Sequence, residues 1–141
     1  MTLTPQDISA IEAVLGSAQA LDHNSWFWNL RDASGRVLAL TLSMVDNGTP
    51  TPSLVVSAQT HQGYLELHDV TAYLCIEPDE VMFIAKQADR FSSLVVGKTS
   101  TCSQFSNIRA SLMKADLTEL DPTLLMAAMQ LSLAESLLET L

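Results

Sequence analysis

The chain has 141 residues, 48% hydrophobic and 16% charged, and its sixteen acidic against seven basic residues give a formal net charge of −9. A domain of this length buries roughly 68% of the surface its unfolded chain exposes, so neither metal nor disulfide is required for a core, and the apolar fraction excludes disorder over most of it. So negative a field repels phosphate backbones and anionic headgroups, which argues against nucleic acid and membrane surfaces and for a basic or apolar protein segment as partner.

Thr4, Pro5 and Asp7 make a helix start, with an acid near the positive end of the dipole. Ile8, Ile11, Val14 and Leu15 form a narrow apolar stripe before Gly16, which predicts a short amphipathic helix over Pro5 to Leu15. A polar linker follows. Ser25 to Leu30 reads as a strand with Trp26 and Trp28 on one side and Phe27 on the other. Asp32, Ala33, Ser34 and Gly35 turn the chain, and Arg36 to Val45 returns as a second strand of the same hairpin.

Gly48, Pro50 and Pro52 mark a loop over Asp46 to Pro52. Ser53 to Thr60 is a third strand, His61 to Gly63 a turn, and Tyr64 to Ile76 an extended stretch that bends near His68 and Asp69. Glu77, Pro78, Asp79 and Glu80 then resemble a helix entrance, and Val81, Ile84, Ala85, Ala88 and Phe91 keep helical spacing, which predicts a middle helix. Val81, Phe83 and Ala85 also fit one face of a strand. Ser93 to Val96 and Gln104 to Met113 are strands around a GKTST turn.

Asp121 and Pro122 open a long final helix to Leu141. Leu124, Ala128, Leu131 and Leu138 lie on one apolar strip, with Leu125, Met129, Leu133 and Leu137 on a second beside it. A face that wide asks for two partners, the chain's own sheet and a second protein. The expected fold is α+β, one domain over residues 1–141, with an antiparallel sheet covered by the short first helix, the middle helix and the long C-terminal helix.

Chemical motifs are sparse. Val95-Val96-Gly97-Lys98-Thr99 imitates the end of a phosphate-binding loop, yet Ser92 stands where that loop needs glycine, so a hairpin turn is the plainer account. His61, Glu66, His68 and Asp69 are four potential ligands or acid–base groups close in sequence, against the simpler account of a polar outer hairpin face. No nucleophile elbow or catalytic cysteine signature occurs. Cys75 and Cys102 read as reduced, buried thiols. No enzymatic activity, metal or cofactor is therefore expected. MTLTPQDISA lacks the pattern of a signal peptide and no apolar run is long enough to span a bilayer, so the expected location is cytoplasmic.

The junction DLTELDP leading into the final helix, with a short first helix, an early hairpin and an acidic chain of this size, resembles the small acidic class I chaperones of type III secretion. That resemblance implies a homodimer formed through a helix and neighbouring strand, and an extended client segment lying on exposed apolar patches. The stretch between Ser53 and Ile76 is longer in strand than that pattern has. The resulting expectation is a chaperone or assembly adaptor that captures an extended or apolar partner segment. Trp26, Trp28, Leu125, Met129, Leu133 and Leu137 are its candidate contact residues. The alternatives are a metal- or small-molecule-binding domain, possible enzyme chemistry included, built on His61 to Asp69, and a self-assembling structural subunit.

Overall fold

Thr4 begins the helix in the manner its neighbours require. In the computed structural model, which describes residues 1–76, 78–87 and 90–109, the Asp7 N–H donates to the Thr4 hydroxyl at 3.2 Å while the Thr4 N–H donates to the Asp7 carboxylate at 2.8 Å. This reciprocal cap satisfies two donors that the first helical turn leaves open. Helix α1 spans Pro5–Leu15 and ends at Gly16, whose φ of 96° is a left-handed value that glycine adopts without strain. Ile8, Ile11 and Leu15 are its buried face.

Among the described residues the rest of the regular structure is strand, in two antiparallel meanders. The first sheet runs in the order β1 (Gln19–Asp22), β2 (Ser25–Arg31), β3 (Val37–Val45), β4 (Ser53–Thr60) and β5 (Gly63–Leu67). The second runs β6 (Ala72–Ile76), β7 (Glu80–Gln87), β8 (Arg90–Gly97) and β9 (Cys102–Arg109). Alternation decides which side chains go inward. Leu38, Leu40 and Leu42 of β3 are fully buried, as are Leu54 and Val56 of β4, while the residues between them are half-exposed. Asp32 closes the β2–β3 turn by accepting from the N–H groups of Ser34 and Arg36 at 2.9 and 2.8 Å.

The inner faces of both sheets and the apolar face of α1 meet in one core, where Leu40 and Val56 share a cluster with Val81, Phe83, Leu94, Val96 and Ile11. The crossing from β5 to β6 is fastened to both sheets. The Val70 N–H donates to the Leu54 carbonyl at 3.0 Å, and the Thr71 N–H to the Ile84 carbonyl at 2.8 Å. Tyr73 ties α1 to the second sheet by donating its hydroxyl to Asp7 at 2.7 Å.

The expected α+β fold is corrected by this arrangement. Where a middle helix was predicted, β7 and β8 pair in register from Glu80↔Gly97 to Gln87↔Arg90. The reason is burial on both faces. Val81 and Phe83 face the common core, and Met82, Ile84 and Val95 on the opposite face are at most 5% exposed. A strand covered on both sides is apolar at every position, and such a run satisfies helical spacing as readily as a strand's. The architecture is thus mostly β, with α1 the one helix among the described residues. The long helix expected over Asp121 to Leu141, and the end of the strand expected to reach Met113, lie outside the described residues.

Candidate partner-binding groove

Strand β1 is the least shielded element of the first sheet. Among the described residues it pairs only with β2, through Gln19↔Phe27, Ala20↔Trp26 and Asp22↔Ser25, and the register shifts between Ala20 and Asp22. That bulge sets Leu21 outside the ladder, 54% exposed, and all four β1 residues are exposed. Shortness and a bulge are what natural edges use against indiscriminate pairing. Among the described residues they leave the outer backbone row of β1 open all the same. The turn beyond it is fixed by the Asn24 N–H, which donates to the Asp22 carboxylate at 2.7 Å.

Beside this edge, between the N-terminal half of α1 and the β1–β2 hairpin, lies a groove of about 410 Å³. Leu3, Ile8 and Trp26 supply its apolar lining, and Pro5, Glu12 and His23 its rim. Glu12 also closes the loop after the helix by accepting from the Ala18 N–H at 2.8 Å. Trp26 is half-buried against the core. Ala20 is its register partner, so residues on the inward side of β1 approach the groove.

Trp28 sits differently although it shares Trp26's face. It is 1% exposed and donates its Nε1–H to the Gly16 carbonyl at 2.8 Å, which places it in the core beneath the end of α1 and out of reach of a partner. Phe27, between the two, is on the outer face and half-exposed. Leu125, Met129, Leu133 and Leu137 lie outside the described residues. Leu21 and the open edge were missed in the sequence, because QALD carries neither alternation nor β-branched residues.

Of the His61 to Asp69 stretch, Glu66 and His68 meet, while His61 and Asp69 stand apart from them. Glu66 receives the Tyr64 hydroxyl on one oxygen and contacts His68 Nε2 with the other. That bond to Glu66 is the main reason the Tyr64 phenol is held above its ordinary pKa. Asp69, at a φ of 56°, accepts from the Ser53 hydroxyl at 2.6 Å. His61 stands at the tip of the β4–β5 hairpin and lines a separate cavity of about 500 Å³ with Arg36, Thr60 and Ser100. Among the described residues no three His, Cys, Asp or Glu side chains gather as a metal would require.

The GKT sequence is the β8–β9 turn. The Gly97 N–H donates to the Thr101 carbonyl at 2.8 Å, and the Lys98 N–H to the Asp79 carbonyl at 2.8 Å, so these amides are engaged within the protein. Both cysteines are free and half-buried. Burial pushes the Cys102 thiol up to about 11 and raises that of Cys75 as well, the opposite of what a nucleophile needs. No described helix is long and apolar enough to cross a membrane. In comparisons with known proteins, no family model, no curated protein and no solved structure matches this chain.

Proposed function

We propose that this protein is a non-enzymatic partner-binding module, a small chaperone or assembly adaptor, which takes an extended segment of another protein along β1. The observation that carries the reading is the juxtaposition of an edge that is open among the described residues, and exposed at every residue, with the apolar groove around Trp26. An added strand offers backbone hydrogen bonds to the free row of β1, which supply affinity without sequence preference. Its alternate side chains then fall on opposite sides of the sheet. One set enters the groove beside Trp26 and Ile8, and the other passes Leu21. Asp22 and Glu12 at this site, on a chain of net charge −9, favour apolar segments flanked by Lys or Arg.

The test is titration of the full chain with short synthetic peptides of alternating apolar and basic residues, read by tryptophan fluorescence. Trp26 and Trp28 are the only tryptophans, and Trp28 is buried, so the signal reports the groove. Apolar–basic peptides are expected to bind, and Trp26→Ala or Leu21→Asp to weaken them by about tenfold or more, read by calorimetry for the tryptophan variant. Equal affinity for acidic peptides, or binding indifferent to both substitutions, overturns the reading.

A further inference from the structure

The outer face of the five-stranded sheet is uncovered among the described residues, because α1 and the second sheet both pack on its inner face. The register sets Phe27, Thr41 and Ser57 in one row across its middle, with Ser43 beside Val55 in the next. All five are half-exposed. Charged residues of this face are at its margins, Arg31 at the end of β2 and Glu66 on the edge strand β5. We propose that this face is the seat of a second copy of the chain, in a two-fold, face-to-face dimer.

Charge argues for a copy over another partner. Two molecules of net charge −9 repel wherever their acids meet, and the middle of this face brings none into contact. A basic segment would find one carboxylate at the end of this row, Glu66 beside Ser57, already engaged by Tyr64 and His68, whereas hydroxyls, methyls and a phenyl ring lose little when they meet their own kind. Area points the same way. The five strands have 4, 7, 9, 8 and 5 residues, and at about 4.8 Å between strands and about 3.4 Å per residue the sheet offers roughly 540 Å² per copy. Two copies together would bury roughly 1,100 Å², just above the ~1,000 Å² total that a biological interface needs. The small side chains in its middle let two sheets come to the usual ~10 Å separation.

The geometry also fixes what meets what. Strand β3 is the middle of five, and Thr41 is the middle of β3. Any two-fold centred on the face therefore sets Thr41 against its own copy. The experiment is sedimentation velocity on the full chain across a wide concentration range, with Thr41→Arg, Thr41→Glu, and an equal mixture of the two. Wild type is expected to dimerise, each variant alone to dimerise at least ~100-fold more weakly through like-charge contact, and the mixture to recover a dimer as Arg meets Glu. Thr41→Lys, which keeps the charge at the two-fold, serves in place of Thr41→Arg if that variant fails to fold. A wild type that stays monomeric, whether the face is bare or covered by the chain's own remaining residues, overturns the proposal. So does a dimer indifferent to these substitutions, or a mixture that remains monomeric.

Discussion

Asp7 performs two tasks in different parts of the fold, and its replacement by Ala separates them. It caps α1 reciprocally with Thr4, and it receives the Tyr73 hydroxyl from the second sheet at 2.7 Å. Loss of a helix cap costs about 0.5–2 kcal/mol, and loss of a hydrogen bond to a charged acceptor about 1.5–3 kcal/mol. Asp7 is largely solvated, so both contributions belong at or below the low end, and Asp7→Ala is expected to destabilise by about 1.5–2 kcal/mol. Tyr73→Phe removes only the second bond and should cost about 1 kcal/mol. The two substitutions share that bond, so the double variant should fall short of their sum by about 1 kcal/mol.

Acid provides the second arm of the same experiment. The Asp7 carboxyl is held below its ordinary value of 3.8, chiefly by the Thr4 backbone N–H and then by the Tyr73 hydroxyl. A carboxyl with a depressed folded pKa stabilises the protein fully above its unfolded value, and that stabilisation is lost as pH falls through the folded value. The difference between wild type and Asp7→Ala in urea unfolding should therefore be complete at neutral pH and shrink below the ordinary carboxylate range. Tyr73 moves in the complementary sense, its phenol pushed up to about 12 by burial first and by Asp7 second. Additive single variants, or an Asp7→Ala deficit that persists undiminished in acid, would refute the assignment of one carboxylate to both bonds.

Two further substitutions probe the packing around the groove and the β8–β9 turn. Trp28→Phe strands the Gly16 carbonyl and removes ring volume from a residue only 1% exposed, so a loss of about 2–4 kcal/mol is expected in urea titration. A cost below about 1 kcal/mol would mean that Trp28 does not anchor the end of α1. Gly97→Ala would place a Cβ 2.0 Å from Thr101 Oγ1, so it should destabilise by about 1–3 kcal/mol, with part of the loss recovered by adding Thr101→Ala. Recovery measured as zero would locate the strain in the backbone of the turn.

What the sequence discloses here depends on how local the deciding physics is. Helix α1 is readable because Thr4, Pro5, Asp7 and Gly16 specify both ends within one stretch of chain. The β2–β3 hairpin is readable because Asp32 satisfies the turn by itself and Leu38, Leu40 and Leu42 mark one face. Strand β7 is not, since Val81 to Ile84 are all apolar and only the pairing with β8 distinguishes strand from helix. Trp26 and Trp28 look equivalent for a similar reason. Both are on the inner face of β2, and their fates divide only because Gly16 arrives over Trp28. The separation of His61 from Glu66, His68 and Asp69 likewise depends on where a hairpin tip is carried, which spacing does not encode.

The partner groove and the proposed dimer face are on opposite sides of one sheet, and that makes the two ideas separable. Trp26 faces α1, whose Ile8 lines the same groove, whereas Thr41 and Ser57 face away from it. A dimer formed through Thr41 would leave both groove openings and both β1 edges accessible, two sites per assembly pointing away from each other. Thr41→Arg should then leave peptide affinity per chain unchanged while it abolishes the dimer. Trp26→Ala should do the reverse. A client with two suitable segments would bind the dimer more tightly than the monomer, by an effective concentration that depends on the span between those segments. If Thr41→Arg weakened even a single short peptide, the two faces would be coupled through the sheet, and the β1 edge would have to be read as one part of the dimer contact.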